Sequence, residues 1–441
     1  MSEVVATAQQ GLAGKYPPYP EYKDSGVTWL GHIPAQWSLK KLKYLCSIQT
    51  GNKDTVNGED DGEYPFFVRS QTVERIGTYT ADCEAVLTAG DGVGVGKVYH
   101  YYNGKFDYHQ RVYMLSDFTR VTGRFVYYYL SSNFYKVALE GNAKSTVDSL
   151  RLPQFLNFEF SIPPLDTQDV IVAFLDYETA RIDRLIAQQL RLIELLKEKR
   201  QAVISHAVTK GLNPNTPMKD SGVEWLGQVP EHWVASRLKY CTRQIVDGAH
   251  FTPTYTDAGV PFLRVTDIQS KHVDLSEVKY IPEAEHNELI KRCNPKKGDL
   301  LLSKNGTIGV PKLVDWDWSF SIFVSLCLIK FKAKLFAEYV AYCFESHELK
   351  EQIFGLIKQS TVINLHLDKI QNFWICVPPI SEQVEIVEAL KNKVDELDLL
   401  INKAANAIEL MQERRTALIS AAVTGKIDLR GWTPPTDEVA A

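Results

Sequence analysis

The feature that most constrains the fold of this chain is an internal duplication. Residues 23–44 read KDSGVTWLGHIPAQWSLKKLKY and residues 219–240 read KDSGVEWLGQVPEHWVASRLKY, so that 13 of 22 positions are identical at an offset of 196 residues. Both copies keep two tryptophans and a proline in register, namely Trp29 and Trp225, Trp37 and Trp233, and Pro34 and Pro230. A repeat of this length predicts two copies of one structural unit.

A second pair of segments repeats at a different offset. Residues 163–209 begin PPLDTQDVIVAFL and end EKRQAVISHAVT, while residues 378–424 begin PPISEQVEIVEAL and end ERRTALISAAVT, an offset of 215 residues. Between the repeated segments the second copy is therefore longer by 215 − 196 = 19 residues. Each half thus has a repeated opening motif, a divergent middle and a repeated C-terminal segment.

The divergent middles still share a pattern. Residues 64–69 match residues 260–264, Gly90-Asp91 and the glycine-rich turn after it match Gly298-Asp299 followed by residues 304–306, and residues 145–147 match residues 360–362. Apolar, β-branched and aromatic runs at residues 97–102, 111–115 and 320–331 predict strands, and residues 125–139 and 336–357 predict helices. We expect each middle to be an α+β domain.

The repeated C-terminal segments predict two long helices, because neither contains proline or glycine after its initial Pro-Pro. Their apolar residues recur at alternating spacings of three and four, as in the seam of a coiled coil. The seam positions are Val172, Leu175, Thr179, Ile182, Ile186, Gln189, Ile193, Leu196, Arg200, Val203 and Ala207 in the first helix, and Val387, Leu390, Val394, Leu397, Ile401, Ala404, Ile408, Met411, Arg415, Leu418 and Ala422 in the second.

Matched seams favour helices that pair with each other in antiparallel orientation; the alternative is that each helix packs only on its own domain. Arg200 and Arg415 interrupt both seams at the same point, either at the solvent edge or as a break that fixes the register. The predicted fold is therefore α+β, with two similar globular domains separated by a pair of long antiparallel coiled-coil helices and related by internal pseudo-two-fold symmetry.

Two related domains at a fixed separation suit duplex DNA, on which paired domains read two half-sites at a set spacing. Because the middles diverge, the half-sites should differ, which gives a bipartite and asymmetric target. The chain has 49 basic and 54 acidic residues and a formal net charge of −5, so it lacks the overall basic character of many DNA-binding domains. Any DNA-binding surface must therefore be local.

The motif KDSGVxWLGxxPxxW, the helix ends AVISHAVTKG and ALISAAVTGK, and the Ser-Thr-Val before each Pro-Pro resemble those of Type I restriction-modification specificity (S) subunits, in the same order and over nearly the whole chain. The resemblance implies target-recognition domains at residues 1–163 and 210–378, spacer helices at residues 164–209 and 379–424, and a tail at residues 425–441. It also implies a complex with DNA, two methyltransferase (M) subunits and restriction (R) subunits. The partners would use S-adenosylmethionine for adenine-N6 methylation, and this chain would hold no cofactor, metal or catalytic residue.

Readout of DNA bases needs Arg, Lys, Asn or Gln on loops that reach base edges, with further polar residues on phosphates. The candidates are Arg69, Ser70, Lys97, His109, Gln110, Arg111, Asn142 and Lys144 in the first domain, and His250, Arg264, Thr266, Lys304, Asn305, Lys358 and Gln359 in the second. Each could instead be a solvated surface residue or a polar group that closes a turn.

Other motifs predict no chemistry. The run GDGVGVGKV at residues 90–98 does not match a phosphate-binding loop, because Asp91 stands where a glycine is needed and Val98 where Ser or Thr is needed; a turn between strands is the better interpretation. Seven scattered cysteines without a C-x-x-C pair predict neither a zinc site nor a disulfide framework. The opening motifs with their tryptophans are either domain core or part of a docking surface for the methyltransferase subunits.

The chain is expected to be cytoplasmic. Residues 1–15 lack the pattern of a signal peptide, and the most apolar run, residues 320–329, falls short of the roughly 20 residues of a membrane helix and predicts a buried strand. Two other functions stay open: a coiled-coil interaction scaffold without sequence-specific DNA contact, and a fused methyltransferase or nuclease, which would require a cofactor motif.

Overall fold

The computed structural model describes residues 16–138, 150, 152–357 and 364–435. The chain divides into unit 1, Met1–Leu190 with Ala405–Ala441, and unit 2, Arg191–Ala404. A first long helix, Leu165–Lys210, and a second long helix, Ile380–Val423, each contribute residues to both units.

Unit 1 opens with a hairpin formed by the first repeated motif. Strands β1 (Tyr22–Asp24) and β2 (His32–Pro34) pair antiparallel. The Asp24 carboxylate accepts a hydrogen bond from the Gly26 amide at 3.0 Å, and Gly26 adopts a φ of +74°, which glycine reaches without steric cost. Trp37 follows and is 1% exposed. This tryptophan of the motif is therefore domain core.

A six-stranded mixed sheet forms the centre of the first domain. The remaining strands of unit 1 are β3 (Ser38–Lys41), β4 (Ser47–Thr50), β5 (Tyr64–Phe67), β6 (Glu74–Ile76), β7 (Ala81–Ala89), β8 (Tyr99–Tyr108), β9 (Val112–Ser116) and β10 (Glu159–Ile162). The sheet order is β4-β9-β7-β8-β5-β6, with β5 and β8 parallel and the other neighbours antiparallel. Strands β3 and β10 form a separate antiparallel pair.

Short helices complete the first domain: Leu42–Tyr44, Thr55–Asn57 and Gly92–Gly94 are 3-10 helices, and Gly123–Asn133, Tyr135–Ala138 and Leu152–Leu156 are α-helices. The Thr122 hydroxyl caps the longest of these by accepting a hydrogen bond from the Phe125 amide at 3.3 Å. Tyr129 stacks on Phe160 of β10, with ring centroids 4.2 Å apart. The single helix predicted at residues 125–139 is thus two helices, of which the first begins two residues earlier.

Unit 2 repeats these strand pairings with one interruption. Its strands are β11 (Met218–Asp220), β12 (Gln228–Pro230), β13 (Val234–Arg237), β14 (Thr242–Asp247), β15 (Val260–Leu263), β16 (Lys279–Ile281), β17 (Leu300–Ser303), β18 (Pro311–Leu313), β19 (Ser321–Ile322), β20 (Leu326–Phe331) and β21 (Trp374–Val377). Strands β11 and β12 form the opening hairpin, β13 pairs with β21, and the sheets β14-β20-β17-β18 and β16-β15-β19 form the centre.

The interruption explains why unit 2 has two central sheets where unit 1 has one. Strand β18 pairs with β17 as β8 pairs with β7, and β19 runs parallel to β15 as β8 runs parallel to β5. Between β18 and β19, Trp316 and Trp318 stack with ring centroids 4.9 Å apart. The apolar run at residues 320–331, predicted as one strand, is divided between β19 and β20.

The helices of unit 2 between its long-helix segments are Leu238–Cys241, Glu283–Leu289, Ala337–Glu345, His347–Ile357 and Leu367–Gln371, with a 3-10 helix at Val265–Ile268. The helix predicted at residues 336–357 is again two helices. Ser346 separates them, and its hydroxyl accepts a hydrogen bond from the Leu349 amide at 3.3 Å. This is the capping role that favours serine at the start of a helix.

One buried glutamine joins each long helix to the domain before it. Gln168 Nε2 donates to the carbonyl oxygens of Arg120 and Pro163, and Gln168 Oε1 accepts a hydrogen bond from the Thr122 amide. In unit 2, Gln383 makes the same three contacts with Lys334, Pro378 and Phe336. Both side chains are fully buried.

Within each unit the two long helices run in opposite directions. In unit 1, Asp183 of the first helix pairs with Arg415 of the second at 3.0 Å, and Ser161, just before the first helix, contacts the Val423 carbonyl at the end of the second. In unit 2, Arg200 pairs with Asp398 at 2.9 Å, and Tyr339 donates to the Val208 carbonyl near the end of the first helix. The α+β class and the antiparallel pairing of the long helices are confirmed.

All predicted seam positions are buried or half-buried. The arginines that interrupt the apolar pattern are half-buried, and each forms an ion pair with an aspartate of the other long helix. They therefore belong to the seam rather than to the solvent edge. Among the described residues, none of the helices has the length and apolar character to cross a membrane.

Candidate nucleic-acid interface

In unit 1 the predicted site residues gather where three strands end. Arg69 follows β5, Asp91 follows β7, and Arg111 precedes β9. The two oxygens of the Asp91 carboxylate accept one hydrogen bond each, from Arg69 Nη1 at 2.8 Å and from Arg111 Nη1 at 2.9 Å. Strands β5, β7 and β9 of one sheet thus bring together two arginines that are 42 residues apart in sequence (111 − 69).

The charges of this cluster are stable at neutral pH. Partial burial alone would raise the pKa of Asp91, but the hydrogen bonds from Arg69 and Arg111 prevail and lower the pKa of its carboxyl. Asp91 is therefore ionised and holds both guanidinium groups by charge-assisted hydrogen bonds, which are stronger than neutral ones. The arginine side chains remain 41% and 58% exposed, so they are available to a ligand.

His109 contacts the backbone of this cluster. It is buried, and its Nδ1 accepts a hydrogen bond from the Arg111 amide at 2.9 Å. Burial lowers the pKa of His109, with a smaller contribution from the neighbouring arginines, so the ring is neutral at pH 7. Gln110 beside it is exposed, and its amide donates to Asp54 at 2.6 Å. Gln110 is therefore open to a ligand, whereas only 3% of the His109 side chain is exposed.

Ser70 and Lys97 border the same surface. The Ser70 carbonyl accepts a hydrogen bond from His100 Nε2 at 3.0 Å, and its exposed hydroxyl donates to the Thr72 carbonyl. Lys97 is exposed at the end of the glycine-rich run, which forms a turn between β7 and β8, as predicted. A cleft of about 390 Å³ beside the turn is lined by Thr55, Val68, Arg69, Ser70, Glu74, Asp91, Gly92, Val93, Gly94 and His109.

In unit 2, Arg264 is held differently. Its Nε and Nη2 donate to the two oxygens of Asp267 at 3.1 and 2.9 Å, and these hydrogen bonds raise the pKa of Arg264. The bidentate edge of the guanidinium is therefore occupied within the domain. Thr266 is exposed, and its hydroxyl donates to Asp267 at 3.0 Å.

Lys304 is buried in an ion pair. Its ammonium lies 2.6 Å from Asp247 Oδ1 and is 5% exposed, so as placed it cannot contact a ligand. The other oxygen of Asp247 lies 3.4 Å from Nε2 of His250, which is exposed. Of this group, His250 is the side chain that faces solvent.

The structure corrects the alignment of the two middles. The Gly90 amide donates to the Arg111 carbonyl, and the Lys304 amide makes the same bond to the Ser325 carbonyl. Leu150 and Leu365 in turn donate to the carbonyls of residues 90 and 304. Gly90-Asp91-Gly92 thus corresponds to Lys304-Asn305-Gly306.

The predicted match of Gly90-Asp91 to Gly298-Asp299 was therefore wrong. Gly298 and Asp299 precede β17, whereas Gly90 and Asp91 follow β7. Asp299 does not lie in a ligand-facing turn; its carboxylate forms an ion pair with Lys330 of β20. Asn305, the true counterpart of Asp91, faces Asn364 in a β-bridge.

The remaining candidates, Asn142, Lys144, Lys358 and Gln359, lie outside the described residues, as do both Ser-Thr-Val segments. The sequence did not single out the carboxylates Asp54, Asp91, Asp247 and Asp267, which hold the basic candidates in place. A glycine-flanked aspartate directly after a strand was the available signal for Asp91. In the described part of the chain, no three His, Cys, Asp or Glu side chains are grouped so as to hold a metal ion.

The Type I restriction modification DNA specificity domain matches this chain twice, at residues 34–195 and 251–410. The chain belongs to this family. Both matches run from a domain with its strand-end turn into a long helix, so this Type I specificity chain carries two family domains in tandem.

Named relatives agree with the assignment. The chain is 31% identical to the Type I restriction enzyme EcoDI specificity subunit of Escherichia coli, over 40% of this chain and 39% of the relative. It is 23% identical to the EcoKI specificity subunit of Escherichia coli strain K12, over 69% of this chain and 65% of the relative. The chain thus aligns with less than two thirds of the length of each.

The fold of this Type I specificity chain also resembles a solved structure described as the structural basis underlying complex assembly and conformational transition of the type I R-M system. The TM-score is 0.67 at 15% identity, and the match covers 89% of this chain and 98% of the other. At this identity the likeness concerns the fold.

Proposed function

We propose that this chain is the non-catalytic DNA-specificity subunit of a Type I restriction-modification complex. It binds a bipartite, asymmetric duplex target, with one half-site read by each target-recognition domain. The observation that carries the proposal is that one scaffold occurs twice with different chemistry at the same turn. The amides of residues 109 and 323 donate to the carbonyls of Phe67 and Leu263, so Arg69 is equivalent to Val265 and not, as the sequence match implied, to Arg264. Arg69, Asp91 and Arg111 of unit 1 therefore correspond to Val265, Asn305 and Ser325 of unit 2.

Repeated scaffold and divergent surface favour recognition over catalysis. Gln168 and Gln383 make the same three backbone contacts, so the junction between domain and long helix is the same in both halves. The exposed side chains at the ends of the sheet strands differ instead. Because sequence is read by side chains at base edges, such divergence gives two unlike half-sites.

The partners follow from the same duplication. Two equivalent faces fit two methyltransferase subunits, and restriction subunits join through them. Adenine-N6 methylation with S-adenosylmethionine takes place in the partners, in the cytoplasm, and this chain supplies the choice of target.

The test is to purify the complex of this chain with its methyltransferase subunits and map methylated adenines on genomic DNA. We expect one interrupted, asymmetric motif. Replacement of residues 45–158 by those of another family member leaves the β3–β10 pair intact, and it should change one half of that motif alone. The matched exchange in the second domain, residues 242–373, should change the other half.

Two results would overturn the proposal. Methylation without sequence preference would favour an interaction scaffold that makes no specific DNA contact. Binding of S-adenosylmethionine by the isolated chain, measured by calorimetry, would favour a fused methyltransferase.

A further inference from the structure

Asp91 fixes Arg69 and Arg111 in position but uses only some of their hydrogen-bond donors. Each guanidinium uses Nη1 for Asp91. Among the described residues, Nε and Nη2 of Arg69 and Arg111 make no protein hydrogen bond. A guanidinium carries five N–H donors in a planar fork, so both arginines present free donors to solvent.

The anchoring side chains come from a rigid framework. Asp91 follows the nine-residue strand β7, which is hydrogen-bonded on both sides by β8 and β9. The Arg111 carbonyl is tied to the Gly90 amide at 2.8 Å, and its amide is tied to His109. Fixed donors of this kind suit a ligand with a defined pair of acceptors.

Such an acceptor pair occurs both on guanine, at O6 and N7, and on phosphate. Asp91 cancels one of the two positive charges, which weakens a contact that depends on charge alone, such as one to phosphate. The neighbouring Val93 is 87% exposed at the tip of the turn. An apolar side chain there suits the major groove, where it meets base edges and thymine methyl groups. Guanine is therefore the favoured ligand.

The second domain lacks this arrangement. Gly92 and Gly306 adopt the same conformation, with φ of +73° and +70°. A Cβ atom added at Gly92 would lie 3.8 Å from Arg69 Nη1, and one added at Gly306 would lie 3.9 Å from the Val265 side chain. Asn305 replaces Asp91, Ser325 replaces Arg111 and Val265 replaces Arg69, so none of the three equivalent positions in unit 2 carries a charge. The charged neighbours, Arg264 and Lys304, are each paired with an aspartate.

We propose that Asp91 is a positioning residue that holds Arg69 and Arg111 as a clamp for a guanine in the half-site of the first domain, and that the second domain reads its half-site without such a clamp. The inference rests on the proposed function. It adds the base that the first domain selects and the residue that prepares the selection.

The test uses the complete complex with its methyltransferase subunits and maps the methylated motif for wild type and for D91N. The substitution removes the anchor and adds one positive charge. We expect guanine discrimination at one position of the first half-site to fall roughly 5- to 150-fold, which is what 1–3 kcal/mol per bidentate contact corresponds to. At the same time, affinity for non-target duplexes should rise. If Asp91 had a purely structural role, D91N would lower both the guanine discrimination and the affinity for non-target duplexes.

A second variant keeps the test independent of folding around residue 91. R111K retains the charge but lacks the fork, so it should relax the same position while the salt dependence of binding stays unchanged. K105A removes a positive charge elsewhere in the first domain and serves as the control, because it should leave the motif as in wild type.

The outcomes are distinguishable. A wild-type motif that is not interrupted would contradict the proposed function. An interrupted motif with no guanine in the half-site of the first domain, or unchanged guanine discrimination in D91N and R111K, would overturn the clamp alone. An equal loss of affinity for all duplexes in R111A, with R111K close to wild type, would assign Arg111 to phosphate, because lysine keeps a contact that depends on charge alone.

Discussion

The candidate surface of the first domain rests on histidines that burial keeps neutral. His100 donates from Nε2 to the Ser70 carbonyl at 3.0 Å and lies 5.2 Å from the ring of Phe67. His109 accepts from the Arg111 amide. Burial lowers the pKa of both rings below the ordinary value of about 6.5. The positions of Ser70 and Arg111 therefore depend on two uncharged rings.

A dependence of stability on pH follows. Between the unfolded pKa of about 6.5 and the lower folded pKa, the unfolded chain binds more protons than the folded one, so acidification favours unfolding. Stability is thus lost as the pH falls below about 6.5. H100Q removes one of these groups and keeps an amide that can donate to Ser70.

We expect the fall in melting temperature between about pH 7.5 and about pH 5.5 to be smaller in H100Q than in wild type. Scanning calorimetry of the two proteins in matched buffers measures this difference, and H109Q provides a parallel case. If the melting temperature of H100Q falls as much as that of wild type over this pH range, the buried neutral ring of His100 is not a source of acid sensitivity.

Among the elements, the long helices are joined by polar contacts at the point where their apolar seams break. Arg200 pairs with Asp398 and Arg415 with Asp183, and both arginines and both aspartates are related by the offset of 215 residues. Arg200 has a second partner, Glu345, at 2.7 Å. The same residue type in the same repeat position therefore has unequal surroundings.

This inequality predicts different costs of substitution. R415A should lower the free energy of unfolding by about 0.2–1 kcal/mol, the range for a solvent-accessible ion pair, because its partner Asp183 is 55% exposed. R200A should cost more, because Arg200 is less exposed (26% against 33%) and its loss leaves two carboxylates unpaired. Urea unfolding of both variants measures the two losses.

An exposed pair on the first long helix gives the control. Arg191 and Glu194 are 61% and 63% exposed, so R191A should change stability little. Equal losses of unfolding free energy in R200A and R415A would show that the Arg200–Glu345 ion pair adds nothing to stability.

The sequence predicted the long helices and the repeated domain more accurately than the site. The seam could be predicted because its spacing of three and four residues is a local property of a helix. The repeat of Gly90-Asp91 was misplaced because most of the extra residues of the second half lie before the end of β17. The offset between equivalent residues rises from 263 − 67 = 196 at Phe67 and Leu263 to 304 − 90 = 214 at Gly90 and Lys304. Lys304 looked accessible because its partner, Asp247, lies 57 residues away and is brought near only by the fold.

For the whole molecule, the important feature is that each unit contains parts of both long helices. In unit 1, Leu418, Ile419, Ala422 and Val423 of the second helix are buried in the core of the first domain. The end of the first helix has a nearly identical sequence, AVISHAVT against ALISAAVT. Its residues Ile204, Ala207 and Val208 are buried in unit 2.

A chain that ends at Gly211 should therefore form a dimer. The fragment keeps the first domain and the whole first helix but lacks the second helix that completes unit 1. Because the two helix ends present the same apolar pattern, the first helix of another copy can take the place of the second helix. Light scattering should show a dimer, and with methyltransferase subunits this dimer should methylate a symmetric motif built from two copies of the first half-site.

Two substitutions near the end of the helix separate specific pairing from aggregation. Ile204 is fully buried, whereas Lys197 and its counterpart in the second helix, Gln412, are both exposed. In the fragment, I204D places a charge in the core that the second copy would have to complete, at a cost of several kcal/mol, and should yield monomers. K197D, at a position that is exposed in both long helices, should leave the dimer intact. A wild-type fragment that stays monomeric at micromolar concentration would mean that the helix ends, despite their matching residues, do not substitute for one another.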